Sequence, residues 1–282
     1  MPAHRHRRTR AARALGLARA LALLLVVALV VSGCGKDEKP KADEKKDTPG
    51  AAEPGATEAG DEEPAPDPGY GAPAVGRCYR LSSAQSLAPV TNEARVSCDG
   101  KHTTVVAHIG YVPKAVTAKT PLAKRRQLGK RQCEPAYRKL AGGTVSDRAT
   151  SLLTWTLFTP SRAQLERGAR WIRCDVLARS GDELVGLPDA KPLLEKGVPE
   201  SLRVCQTAAG IDVSCSLPHV FRVEAVYSVP GSVYPSPARY TAAARTRCKE
   251  LMGKAGGYWQ PPSKAGWKAG DHFVRCLSRA AS

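Results

Sequence analysis

Eight of the chain's nine cysteines fall into two sets of four with matching surroundings, and no other feature limits the fold as strongly. Cys78, Cys98, Cys133 and Cys174 form the first set; Cys205, Cys215, Cys248 and Cys276 form the second. Val96-Ser97-Cys98 is followed by His102, and Val213-Ser214-Cys215 by His219, at the same spacing. Pro160-Ser161 leads to Gly168, Trp171, Arg173 and Cys174. Pro262-Ser263 leads to Gly270, Phe273, Arg275 and Cys276 at the same offsets. A tryptophan precedes each block, Trp155 and Trp259, and a glycine pair follows each third cysteine, Gly142-Gly143 and Gly256-Gly257. Matches in register on this scale point to duplication of one structural unit, with too few copies for a solenoid.

The ninth cysteine stands apart. Arg5, Arg7, Arg8, Arg10 and Arg13 precede an apolar run over Ala20–Val31. That run has the length of a signal-peptide core and is too short to span a bilayer as a helix. It ends in Val31-Ser32-Gly33-Cys34, which resembles the lipobox of bacterial lipoproteins. The resemblance implies that residues 1–33 are a cleaved leader and that Cys34 receives diacylglycerol on its sulfur. The protein is then exported and anchored to the outer face of the cell membrane. An ordinary secretory signal cut beside a cysteine is the alternative. Two acyl chains, at ~0.8 kcal/mol per buried methylene, anchor stably without a spanning helix. Residues 34–70 are mostly Pro, Ala, Gly, Lys, Glu and Asp. Such a segment buries too little apolar surface to fold and is expected to be a disordered tether.

Charge divides along the same lines. Residues 70–282 carry thirty-two basic and fifteen acidic side chains, a net charge of +17, whereas residues 34–69 carry five lysines and eleven acids. Inside a cell so basic a domain would point to nucleic acid; export argues against nucleic acid as a partner. The anions outside the membrane are lipid headgroups, envelope polymers and acidic protein surfaces, and a basic field favours association with them. A solvated surface with no partner is the alternative. Lys124, Arg125, Arg126, Lys130 and Arg131 form the densest patch, expected to make one basic face of a helix.

The fold expected is α+β: two tandem homologous disulfide-stapled domains, 71–183 and 197–282, each a small, mostly antiparallel sheet with one packed helix. β-branched and aromatic runs predict strands at Cys78–Leu81, Thr103–Val112, Ser151–Phe158, Arg170–Leu177, Leu202–Gln206, Val220–Val229 and Asp271–Leu277. Helices are predicted at Pro121–Leu140 and Pro237–Gly253, ended near the glycine pairs, with Pro135 interrupting the first or starting its second part. In the second, Tyr240, Ala244 and Cys248 share a face. An inward helix cysteine can meet one on the last strand, which favours Cys133–Cys174, Cys248–Cys276, Cys78–Cys98 and Cys205–Cys215. Pairing first with third in each set remains open.

Little in the sequence carries catalytic chemistry. Cys98/His102 and Cys215/His219 have a metal-pair spacing, and His108 could add a ligand in the first half only. A zinc site needs three or four ligands, and an oxidised cysteine supplies none. Among exported cysteines the pairs therefore read as disulfide and turn, with His102 and His219 as weak metal candidates. The sequence has no Cys-x2-Cys pair, no Gly-x-Ser-x-Gly elbow and no glycine-rich phosphate loop. Acids are sparse, with Glu224 and Asp271 present only in the second half. Trp155, Trp171, Trp259 and Trp267 read as packing residues rather than a sugar platform. No catalytic residue and no cofactor is expected.

Gly76-Arg77-Cys78-Tyr79, Val96-Ser97-Cys98 with His102, and Val213-Ser214-Cys215 with Pro218-His219 resemble the septum formation domain family of actinobacterial envelope proteins. So does the closing stretch Trp259-Gln260-Pro261-Pro262, Trp267, Gly270-Asp271 and Cys276. The first half departs from the pattern, with Gly100-Lys101 before its histidine and Ala169 where the second half has Asp271. The resemblance implies a link to division-site formation and brings no reaction or ligand with it. The function expected is a non-enzymatic binding module that engages an anionic envelope polymer or an envelope protein. An envelope hydrolase or metal-dependent enzyme is the alternative.

Overall fold

The computed structural model describes residues 66–189, 191–253 and 257–280; the leader, Cys34 and most of the expected tether lie outside these ranges. The described residues form an α+β structure with two antiparallel sheets, six helices and four disulfides. The first sheet contains β1 (Cys78–Tyr79), β2 (Arg95–Val96), β3 (Thr104–Tyr111), β4 (Leu153–Phe158) and β5 (Trp171–Ser180), in the order β2-β1-β3-β5-β4. A short β6 (Glu183–Val185) turns back on the end of β5. The second contains β7 (Val204–Gln206), β8 (Asp212–Ser214), β9 (Phe221–Ser228), β10 (Tyr258–Gln260) and β11 (Phe273–Arg279), in the order β8-β7-β9-β11-β10. Taken in chain sequence, the two orders are the same.

The repeated motifs have local causes. Ser161 and Ser263, from the two Pro-Ser pairs, are the N-caps of short helices α4 (Arg162–Glu166) and α6 (Lys264–Ala269), accepting from the N–H of Gln164 and Gly266. Gly168 and Gly270 follow at φ 93° and 99°, a conformation costly for a residue with a Cβ. The chain then enters β5 or β11 with its cysteine facing the helix that covers the sheet. The fixed offset is thus one capped turn and one strand entry. The tryptophans do not share it. Trp259 lies opposite Cys276, as Leu157 lies opposite Cys174, whereas Trp155 lies opposite Val176. The two tryptophans are not equivalent in register.

Helix α2 (Leu122–Ala141) and helix α5 (Pro237–Met252) supply the covers. Ser236 caps α5, and Pro237 stands at its first position, where a missing N–H costs nothing. Gly129 lets α2 approach the sheet: a Cβ there would sit 2.1 Å from Cδ1 of Leu157. α2 runs through Pro135 without interruption, contrary to the sequence expectation. Pro135 is exposed, so the carbonyl it leaves unpaired faces solvent. Cys133 of α2 bonds Cys174 of β5, and Cys248 of α5 bonds Cys276 of β11. Cys78–Cys98 and Cys205–Cys215 pin the first strand of each sheet to the segment after its neighbour. Each bond stays within its half.

The structure corrects the expectation of one helix per half. Besides α4 and α6, two further short helices appear, α1 (Ser83–Leu87) and α3 (Val145–Ala149), each started by a capping box, Ser82 with Gln85 and Thr144 with Asp147. Thr144 holds the Asp147 carboxyl below the usual carboxylate range through its backbone and side-chain donors. The tether also ends earlier than residue 70. Pro68 accepts from the N–H of Arg170, and the Tyr70 carbonyl accepts from Trp171 Nε1, both at 2.9 Å.

The described residues form one compact unit. Its largest apolar cluster draws on both halves: Cys78, Val105, Val176 and Ala178 from the first sheet, Val204, Val223 and Leu277 from the second. Leu187, Leu193 and Leu194, from the stretch between the two expected domains, and Val198 and Leu202 just beyond it fill the space between. Smaller clusters lie under each long helix, around Cys133, Leu157 and Ile172, and around Tyr240, Ala244 and Trp267.

Tyr137 of α2 donates to the Leu153 carbonyl at 3.1 Å, and burial pushes its phenol up to about 12. A folded value above the ordinary 10.0 gives stability that is full below about pH 10 and is lost as pH rises through about 12. Alkaline unfolding followed by circular dichroism should show this fall, and Tyr137→Phe should make it shallower.

Candidate functional site

The basic patch lies on the first three turns of α2. Lys124, Arg126, Lys130 and Arg131 are exposed. The five residues do not share one face, because a helix turns 100° per residue and consecutive Lys124, Arg125 and Arg126 diverge. Lys124, Lys130 and Arg131 look outward. Arg126 reaches back to the Leu87 carbonyl at 3.3 Å. Arg125 turns in: its Nε and Nη1 are buried without a hydrogen-bond partner, and burial holds its guanidinium below the ordinary value.

None of the five makes an ion pair among the described residues. The first turn of α2 carries no acid, and its cations sit at the positive end of the helix dipole. That placement opposes helix stability by some tenths of a kcal/mol per charge and is relieved by a bound anion. A surface kept at that cost suits an anionic partner better than it suits the fold.

The two histidines occupy equivalent turns. His102 Nδ1 lies 2.9 Å from the Gly100 carbonyl and His219 Nδ1 2.7 Å from the Leu217 carbonyl. A carbonyl only accepts, so Nδ1 carries the proton and donates in both. His102 is fully buried and its Nε2 has no partner; His219 is half-buried in a polar crevice with Arg222 and Glu224. The cysteines at their spacing, Cys98 and Cys215, are both in disulfides. Among the described residues no three His, Cys, Asp or Glu side chains gather as a metal site. Beside the crevice, Arg222 clamps Glu200 with two bonds of 2.6 and 2.7 Å, and those bonds hold the Glu200 carboxyl below its ordinary value.

Trp171 and Trp267 are buried, and Trp155 and Trp259 are half-buried. Trp155 donates to Glu134, Trp171 to the Tyr70 carbonyl and Trp267 to the Ser232 carbonyl. Trp267 also stacks on His272, ring centres 3.8 Å apart. They are packing residues rather than an exposed stacking surface.

Sequence reasoning missed two sites. One is the ion pair Arg173–Asp175, buried on the face of β5 away from α2, with Arg173 over the rings of Tyr79 and Phe158. The repeated arginine was visible, but its burial depends on the Tyr79 and Phe158 contacts. The other is a cavity of about 260 Å³ between β9 and α5, lined by Tyr227, Tyr240, Arg239 and Arg247 among others. Its only sequence signal is two arginines eight apart on the helix.

The family model for septum formation matches residues 75–276, nearly the whole described structure. The chain belongs to the septum formation family. No curated protein and no solved structure matches it.

Proposed function

We propose that this member of the septum formation family is a lipid-anchored protein of the cell envelope that acts as a non-enzymatic binding module for an anionic envelope polymer. In this reading Cys34 carries the diacylglycerol, residues 34 to about 65 are the tether, and the two sheets are tandem copies of one duplicated unit. The observation that carries it is the unpaired, exposed positive charge of α2, on a folded region with a net charge of +17. Export leaves polymers and headgroups of the envelope as the abundant anions such a surface meets. Four disulfides fit an oxidising compartment and a core reinforced against it. The exposed basic side chains of α2 form the binding face, and no chemical step is assigned to the sheets. Among the described residues no helix is long and apolar enough to cross a membrane; attachment is assigned to the lipid because of the lipobox-like run ending at Cys34. Septation or envelope assembly is the process the family points to.

Charge reversal tests this. With Lys124, Lys130 and Arg131 all changed to Glu, sedimentation with isolated envelope polymer should fall about tenfold, while the melting temperature stays the same or rises. Undiminished binding by this variant would remove α2 from the interface. Uniform distribution of a tagged protein around the cell, with normal division on deletion, would remove the septal role.

A further inference from the structure

The cavity between β9, the 229–236 loop and α5 sits apart from the α2 patch. Val229, Pro230, Pro235 and Ala243 give it an apolar wall, and Tyr227, Tyr240, Arg239 and Arg247 give it polar groups. Tyr240 is 4% exposed. Its hydroxyl and that of Tyr227 are buried, and neither has a protein partner among the described residues. A buried donor without a partner is costly, and two at one cavity are unusual. Burial pushes both phenols up, so each keeps its proton at neutral pH and acts as a donor. Arg239 and Arg247 are exposed at the mouth. Arg247 shares its charge with Glu250 at 2.7 Å, whereas Arg239 makes no ion pair among the described residues.

The first half has closed the same space. Counted from the helix starts, Arg125 stands where Tyr240 does and Gln132 where Arg247 does; counted from the strand starts, Gly110 stands where Tyr227 does. Without a side chain at 110, Gln132 folds onto the strand. A Cβ there would lie 1.9 Å from its Oε1, and its Nε2 donates to the Tyr111 carbonyl at 3.1 Å. Two tyrosines and an arginine in the second half thus replace a filler with an opening. The two halves therefore fill this position with different side chains.

We propose that this cavity binds a compact organic acid, its apolar body against the prolines and Val229, its acceptor oxygens on the Tyr227 and Tyr240 hydroxyls and its charge on Arg239. The volume of about 260 Å³ lies below the ~300 Å³ at which drug-sized sites begin, which suits a single small molecule. A wall this apolar disfavours a multiply charged phosphate, which would leave polar oxygens unpaired. The proposal is independent of the basic helix and goes beyond polymer binding.

The test is calorimetric titration of the purified protein with three probes: benzoate, benzamide, which lacks the charge, and acetate, which lacks the body. Benzoate should bind at one site per chain, about tenfold more tightly than either of the others. Arg239→Gln should weaken benzoate about tenfold with no change in melting temperature. Tyr227→Phe should weaken it less, and the exposed Arg239 keeps the test valid if the tyrosine variant melts early. Equal binding of benzoate and benzamide, benzoate binding unchanged in Arg239→Gln, or no heat with any probe at its highest soluble concentration would overturn the proposal.

Discussion

With Cys133 and Cys174 both replaced by alanine, the protein should lose about 4 kcal/mol of stability, a fall in melting temperature of roughly 10 °C. The bond closes a loop of 41 residues, the longest of the four, and the entropy it removes from the unfolded chain grows with loop length. It also fastens α2 to β5 in the middle of the cluster under that helix. The Cys205–Cys215 bond closes only 10 residues, and its double alanine variant should cost nearer 3 kcal/mol. Thermal or denaturant unfolding under non-reducing conditions measures both. Equal losses at the two sites would mean that native-state contacts, and not loop closure, set the contribution of these bonds.

Asp175→Ala should cost about 3–5 kcal/mol. Asp175 is fully buried and Arg173 nearly so, and the guanidinium fork meets both carboxylate oxygens. Burial pushes the Asp175 carboxyl up, and Arg173 against it pulls it down. Removing the carboxylate strands a buried cation; the rings of Tyr79 and Phe158 offset only part of that. Replacing both partners by apolar residues, Arg173→Met with Asp175→Leu, should recover most of the loss, since pairing roughly repays desolvation and little more. The second half already shows the substituted state at one position: Leu277 stands where Asp175 does. There Arg275 turns to Asp212 at 2.6 Å in a half-exposed pair, so Arg275→Ala should cost no more than about 1 kcal/mol. Denaturant midpoints of the three variants give the comparison. If Asp175→Ala were as mild as Arg275→Ala, the first pair would be solvated and the buried-charge reading wrong.

The doubled framework was legible because cysteine spacing is set by elements long enough to read. β3 and β9 read as runs rich in β-branched and aromatic residues, and α5 carries a helical period with Cys248 on its inward stripe. The two-residue β2 and the three-residue β6, β8 and β10 are too short to show any period and went unread, whereas the equally short β1 was caught inside the longer run Cys78–Leu81. The shared core was also hidden. Leu187, Leu193 and Leu194 sit among prolines between the two expected domains, and only the packed halves make them interior. Of the candidate site, the positive charge was legible and its division was not. Arg125 is separated from Lys124 by the helical turn and is drawn inward, a difference that adjacency in sequence conceals. The cavity was least visible of all, because it depends on Gly110 and Gln132 filling in one half what Tyr227 and Arg247 leave open in the other.

The most direct test of an anion-binding envelope module is a salt titration of the purified protein against isolated anionic envelope polymer. Affinity should fall by at least about tenfold between about 50 and about 500 mM salt, with a shallower slope once Lys124, Lys130 and Arg131 are reversed. Affinity that is flat across that range, or no binding at the lowest salt, would contradict it.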